Sequence, residues 1–161
     1  MYNPDVFRIH RLVWAGPATV CGLVLASLAL WRGRFAVVDG VLEVHGPAIA
    51  WMLSHVVPLR GGAAAITFGH VVIGRDAASL ACSRAHERVH VRQYERWGPT
   101  FIPAYVIAGL SALVRGRHPY FSNRFEIEAF RAEGRETWQP PRRATGSALD
   151  RLRRRRHQTA L

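Results

Sequence analysis

The sequence has no lysine and only two cysteines among its 161 residues. All 22 basic residues are therefore arginine, and catalysis by a lysine amine is excluded. Cys21 and Cys82 lie far apart, and neither belongs to a C-x-x-C pair. This pattern argues against a disulfide framework, a cysteine-based zinc site and a redox centre.

Charge is also scarce and one-sided. Charged residues make up 20% of the chain against 49% hydrophobic residues, and the formal net charge is +11. This composition is slightly apolar for a small soluble domain, which indicates that some apolar surface meets lipid. A chain of this length has room for one domain and one accessory segment, so a single active centre is expected.

The apolar excess is concentrated near the amino terminus. Residues 13–31 carry no charge, Trp14 and Trp31 lie at the two ends, and arginines flank both sides. The segment is typical of one transmembrane helix. A cleaved secretory signal is the alternative, but the run exceeds the ~7–15 residues of a signal core and no A-x-A site follows. We expect a membrane anchor over residues 1–34.

Arginines are dense in the carboxy-terminal segment, residues 139–161, which the composition predicts to be a disordered basic tail. Such a tail would lie favourably against the anionic cytoplasmic leaflet. We therefore expect a single-pass membrane protein with a cytoplasmic catalytic face, bound to lipid through the amino-terminal helix and the tail.

Between the anchor and the tail, residues 35–138 predict an α+β fold. Asp39-Gly40 lies between two β-branched runs, which predicts a β-hairpin over residues 35–45. Residues 64–73 predict an edge strand in which Gly69 marks a bulge or a place where another backbone comes close. Residues 47–58 are compatible with a strand or a short helix.

Three helices follow. The first begins after an Asp76 N-cap and ends at Gly98-Pro99. The second spans residues 99–114, and its apolar part is too short to cross a bilayer, so it is expected in the core or at an interface. The third spans residues 123–138 and stops before Pro140-Pro141.

The first helix carries an H-E-x-x-H pattern formed by His86, Glu87 and His90. Residues four apart on a helix lie one above the other, so two imidazoles can share one metal ion. Glu87 projects beside the pair, where its carboxylate can take a proton from an activated water. The alternative is a pair of core or surface histidines without a metal.

Catalytic zinc normally takes a third protein ligand and keeps one open position. Glu126 and Glu128 are the candidates on the third helix, and Glu128 has Arg124 and Arg131 at ion-pair spacing. Glu126 shares its face with apolar residues, where a carboxylate needs a strong partner. We predict Glu126 as the ligand; the alternative is a capping box with Asn123.

The pattern His86-Glu87-Arg88-Val89-His90 followed by Asn123-x-x-Glu126 resembles the gluzincin metallopeptidases. More closely, these residues resemble small bacterial membrane proteins with a minimal gluzincin-like core. The resemblance covers residues 64–135. It implies a bacterial inner-membrane protein in which His86, His90 and Glu126 hold zinc and Glu87 activates water.

Three further residues are secondary candidates. Gln93 lies on the metal-facing side of its helix. It either supports a metal ligand through a hydrogen bond or is simply a partly buried helix residue. His118 and Tyr120 precede the glutamate helix and are predicted to stabilise an oxyanion, or are otherwise exposed loop residues.

The function predicted from these residues is zinc-dependent hydrolysis of a polypeptide substrate. One alternative is a non-catalytic membrane protein that binds zinc for stability or binds none. Another is a module whose basic tail binds anionic lipid or nucleic acid. The tail has no aromatic residues for stacking on bases, so no specific nucleic acid is expected.

Overall fold

The computed structural model describes residues 10–57 and 61–134. These residues confirm a mixed α+β fold with a four-stranded sheet. The predicted tail, residues 139–161, lies outside the described residues. The elements are α1 Gly16–Ala26, β1 Arg34–Val38, β2 Val41–His45, α2 Pro47–His55, β3 Ala65–Phe68, β4 Val71–Gly74, α3 Ala77–Trp97, α4 Phe101–Val114 and α5 Arg124–Ala132, with short 3₁₀ turns at Ser27–Ala29 and Gly98–Thr100.

The sheet has the strand order β1-β2-β4-β3. The predicted hairpin over residues 35–45 is confirmed, because β1 and β2 pair antiparallel across Asp39 and Gly40. Both turn residues have positive φ, 50° and 77°, as a tight two-residue hairpin turn requires. β2 pairs parallel with β4, and the crossover between them includes α2. The sequence leaves the segment over residues 47–58 open between strand and helix, and its described part forms the helix α2 over Pro47–His55.

The prediction of one strand over residues 64–73 is wrong. The chain forms two antiparallel strands, β3 and β4, joined at Gly69 and His70. Gly69 has φ +59°, and a Cβ there would lie 2.2 Å from Oγ1 of Thr19 in α1. The His70 N–H donates to that hydroxyl and the His70 carbonyl accepts from Leu42, so the turn is held by contacts distant in sequence. β3 is at the sheet edge, as predicted.

The α3 helix follows its predicted boundaries. The Asp76 side chain accepts from the Ser79 N–H at the amino end. Gly98 ends the helix with φ +54°, and a Cβ there would lie 2.5 Å from the Trp14 indole. Glycine is required at this position by both backbone conformation and space.

Charged side chains bind α3 to the sheet. The Glu43 carboxylate on β2 accepts two hydrogen bonds from Arg84, both 2.9 Å, and one from Arg88 at 3.3 Å. Glu43 is buried, and the hydrogen bond from Arg84 lowers its pKa despite the opposing effect of burial. This ion pair fixes the rotation of α3 against the sheet.

The last two helices agree with the sequence in position but not entirely in length. α4 ends at Val114, as predicted, and residues 115–122 form turns. α5 begins after an Asn123 N-cap but ends at Ala132, followed by Gly134 at φ +79°. The predicted carboxy-terminal boundary of α5, residue 138, is therefore wrong. Residues 135–138 themselves lie outside the described ranges.

The amino-terminal helix is shorter than the predicted 13–31. Residues 10–14 are helical, a turn follows at Ala15, and α1 restarts at Gly16. Pro17 lacks the N–H that a continuous helix would direct to the Val13 carbonyl, which explains the interruption. α1 packs along the sheet, and its small residues are the buried ones, namely Ala18, Gly22 and Ala26.

Within the described residues, one helical run is long and apolar enough to cross a membrane by length and composition: Ala77–Val114. It is not the amino-terminal segment, because the apolar run Gly16–Ala29 is shorter. The longer run comprises α3 and α4 and is interrupted at Gly98. Length and composition alone do not distinguish a membrane span from a core helix of a soluble protein.

Buried hydrophobic side chains of the described residues form three clusters, and the smallest of them lies between the sheet and α3. An aliphatic core lies between the sheet and α2 and includes Val44, Ile49 and Ile73. A second, aromatic core joins Tyr94 of α3, Phe101 of α4 and Phe125 of α5, together with Ala15 and Ala18. The aromatic core holds the three helices that carry or contact the H-E-x-x-H residues.

Candidate metal centre

The two histidines of the pattern lie side by side on the buried face of α3. Their Nε2 atoms are 3.1 Å apart, and both side chains are buried. The ring of Phe130 from α5 packs edge-on against His86, with 4.9 Å between ring centroids. The helical spacing therefore brings two nitrogen ligands to one point, as the sequence predicts.

Glu126 completes the group from α5. Its Oε2 is 3.2 Å from Nε2 of His86, and its Oε1 is 3.4 Å from Nε2 of His90. Ligand atoms of the three residues lie within 4.8 Å of one another. The capping-box alternative does not fit, because the Asn123 N–H donates to the Tyr120 carbonyl instead. The buried His-His-Glu group can hold a metal ion.

The charges and hydrogen bonds of the group fit a cation. Oε2 of Glu126 is buried and has no hydrogen-bond partner among the described residues. Burial alone would raise the pKa of Glu126, but the two adjacent histidine rings hold it well below its usual range. Burial would lower the pKa of His90, and Glu126 instead raises it to about 9. Two imidazoles and one carboxylate are a donor set that suits zinc.

Gln93 fixes the orientation of His90. Its side-chain oxygen lies 2.8 Å from Nδ1 of His90. Its amide nitrogen donates to the Phe125 carbonyl (3.1 Å) and to Glu128 (2.9 Å). Because both amide hydrogens are used, the oxygen must face His90, so Nδ1 carries the proton and Nε2 faces the metal group.

Glu128 is therefore a support for Gln93 rather than a ligand. The sequence indicated Arg124 and Arg131 as the ion-pair partners of Glu128. In the structure, Nη1 of Arg96 lies 4.0 Å from Oε1 of Glu128. Arg124 lies over the ring of Trp97 instead.

Tyr105 on α4 is a contact that the sequence reading missed. Its hydroxyl donates to Oε1 of Glu126 at 2.6 Å and so helps to orient the carboxylate. The available signal was a tyrosine in an otherwise nearly unbroken apolar helix, since a buried phenol normally finds a partner.

Glu87 lies beside the group and is held by the edge strand. The Thr67 hydroxyl of β3 donates to Oε2 of Glu87 at 2.6 Å, and both side chains are buried. Glu87 is not one of the three residues with converging ligand atoms. Glu87 therefore lies next to the metal group but outside it, and its role as general base stays a prediction.

The two loop candidates have different positions. Tyr120 lines the cavity next to the metal group, and burial, followed by the Glu126 carboxylate, raises its pKa so that the phenol stays protonated. His118 is not among the residues that line this cavity. Its Nδ1 accepts from the backbone N–H groups of Tyr120 (3.2 Å) and Phe121 (3.3 Å), so it shapes the loop.

The cavity beside the metal group has a volume of about 540 Å³. β3 forms one wall through Ile66, Thr67 and Phe68, and α4 forms the other through Ile102, Val106 and Leu110. Apart from the site residues and Thr67, the lining is chiefly apolar. The arrangement combines a polar group at the floor with apolar walls, as ligand sites commonly do.

No family model, curated protein or solved structure matches this chain. The metal group is therefore defined by its own residues and geometry.

Proposed function

We propose that this chain is a membrane-bound, zinc-dependent peptidase of the gluzincin kind. The observation that supports the proposal is the convergence of His86, His90 and Glu126 within 4.8 Å, with the Glu87 carboxylate beside them. Ligands, a general base and a cavity are the parts that metal-assisted hydrolysis needs.

Zinc held by these three side chains would act as a Lewis acid on the scissile carbonyl and increase the acidity of water. Glu87 would accept the proton of the attacking water and return it to the leaving amine. The hydrogen bond from Thr67 holds one Glu87 oxygen in place, which leaves the other oxygen for the proton. The Tyr120 phenol would donate to the developing oxyanion.

The substrate would lie along β3. This strand is at the sheet edge and contributes Ala65, Ile66 and Phe68 to the cavity wall. An extended peptide could pair with the free edge while its side chains fill the apolar cavity. This binding mode would place a carbonyl of the peptide over the metal group.

The outer surface of α1 supports the membrane assignment. Its small residues face the protein, whereas Val20, Leu23 and Val24 are exposed. A water-soluble helix shows the reverse arrangement. The helix packs on the sheet along its length, so membrane contact through one face fits the fold better than an independent span.

Peptide hydrolysis can be tested with the zinc-loaded protein and a mixed peptide library read by mass spectrometry. Wild type should cleave peptides, and Glu87→Gln should lose at least about 100-fold in rate because its base is removed, with its zinc content retained. Zinc bound equally by both proteins without cleavage by either would favour the non-catalytic alternative and contradict the peptidase proposal.

A further inference from the structure

The outer face of α4 is as apolar as that of α1. Of its fourteen residues only Phe101 and Ala112 are buried. Ile107 is 65% exposed and Val114 is 87% exposed. A helix that left such a surface in water would be unfavourable by the hydrophobic effect, so this face needs a cover.

The cavity opens beside this face. Ile102, Val106 and Leu110, one turn apart on α4, line the cavity and are at the same time about half exposed, at 47%, 51% and 55%. The wall between the metal cavity and the outside is therefore one apolar helix. A molecule that covers α4 also borders the mouth of the cavity.

Arginines frame the other side of α4. A second groove of about 420 Å³ runs along Ala104 and Ile107 and is lined by Arg115, Arg117 and Arg124. In an anionic bilayer the acyl chains lie next to negatively charged headgroups. An apolar helix surface beside guanidinium groups is complementary to both layers.

No element within residues 10–57 and 61–134 covers this face, which stays exposed. The segment beyond the described residues, 135–161, contains eight arginines and is chemically unlike the apolar face. α1 and α4 share the aromatic core, since Ala18 of α1 and Phe101 of α4 belong to the same cluster of buried residues, and the outer face of α1 needs the same environment. At fourteen residues and ~1.5 Å per residue, α4 is too short to span a bilayer.

We propose that α4 and α1 lie side by side in one leaflet of an anionic membrane and that the metal cavity opens towards the acyl chains. The substrate class is then a polypeptide segment that itself partitions into the bilayer, such as an apolar or lipid-embedded stretch. This substrate assignment rests on the proposed peptidase function, whereas the membrane geometry does not.

Insertion can be measured with a fluorophore on single cysteines. The chain provides two exposed native sites, Cys21 on α1 and Cys82 on the outer side of α3. Ile107→Cys, made in a Cys21→Ser/Cys82→Ser background, places the third probe on α4. Each protein is reconstituted into phosphatidylcholine and phosphatidylglycerol vesicles that carry nitroxide quenchers at a shallow or a deep acyl position.

Lipid quenching should be several-fold stronger at Ile107→Cys and at Cys21 than at Cys82, and greater with the shallow quencher, because both helices lie in one leaflet. Quenching at Ile107→Cys no stronger than at Cys82 would overturn the proposal. So would strongest quenching of Cys21 by the deep nitroxide, which indicates a span, or burial of the α4 probe in a dimer in detergent-free solution.

Substrate class is tested with two peptides that share one scissile segment. One carries an apolar extension that partitions into vesicles and the other a polar extension. Wild type should prefer the apolar peptide by about tenfold in kcat/KM, as expected when the substrate is concentrated at the membrane. Ile107→Glu should lose the preference, because Ile107 is outside the metal cavity but on the inserted face.

The outcomes separate the two proposals. Equal cleavage of both peptides would overturn the substrate class and leave the peptidase function intact. Quenching at Ile107→Cys without cleavage of either peptide would support the membrane geometry and contradict the peptidase function.

Discussion

The side-chain oxygen of Gln93 accepts a hydrogen bond from Nδ1 of His90 at 2.8 Å. The two residues are three positions apart on α3, and Gln93 is itself held by Phe125 and Glu128 of α5. A ligand histidine is thus oriented by a neighbour that the glutamate helix positions. The two helices that supply the ligands are coupled through an amide as well as through the metal group.

Replacing Gln93 should weaken zinc binding without unfolding the protein. Gln93→Leu keeps most of the side-chain volume but removes the acceptor for Nδ1, and loss of such a support typically lowers metal affinity about 10- to 100-fold. Competition with a chromophoric chelator measures the change. The exposed neighbour Arg92→Ala serves as the control, and an unchanged affinity in Gln93→Leu would contradict the assigned role.

The Thr67 hydroxyl should matter for turnover and not for metal binding. Thr67→Val preserves shape but removes the donor to Glu87, so the carboxylate loses its fixed orientation. We expect kcat to fall about tenfold, a fraction of what general-base catalysis contributes, with zinc content unchanged. Thr67→Ser keeps a hydroxyl and should restore most of the rate. If Thr67→Val also loses zinc, its role is structural and the prediction is wrong.

Acid should destabilise the protein partly through Glu43. Arg84 lowers the pKa of this carboxyl below its usual 4.5. A carboxyl whose pKa is lower in the folded than in the unfolded protein stabilises the fold at any pH above its unfolded-state pKa. This stabilisation is lost as the pH falls through the folded-state pKa. The free energy of unfolding of the metal-free wild type should therefore decrease as pH falls below 4.5.

Glu43→Gln should be less stable than wild type at neutral pH, and the difference should shrink on acidification. Urea denaturation at several pH values between about 6 and 3 measures both trends. A stability difference that stays constant over this range would show that the ion pair with Arg84 does not carry the effect.

The sequence predicted the parts of the fold that local chemistry determines. Asp39-Gly40 identified the hairpin, and Asp76 and Gly98 set the ends of α3. The spacing of His86 and His90 placed both on one helical face. The ion-pair spacing of Glu128 and the apolar helix face of Glu126 selected Glu126, and the ligand atoms of Glu126 do converge with the histidines.

The remaining features depend on contacts between distant segments. Thr67 and Tyr105 reach Glu87 and Glu126 from other elements, and the sequence does not identify either partner, although a lone tyrosine in an apolar helix is itself a signal. The turn at Gly69 is stabilised by Thr19, 51 residues from its His70 partner. His118 is different, because its contacts are local: its ring nitrogen accepts hydrogen bonds from two backbone N–H groups of its own loop.

The proposed peptidase function requires that His86, His90 and Glu126 bind one zinc ion. The direct test is zinc content by elemental mass spectrometry after purification in detergent and dialysis against a weak chelator. Wild type and Glu87→Gln should each retain about one zinc per chain, whereas His86→Ala and Glu126→Ala should lose it while keeping their helical circular dichroism. Wild-type protein without zinc, or an alanine variant that retains a full equivalent, would contradict the account.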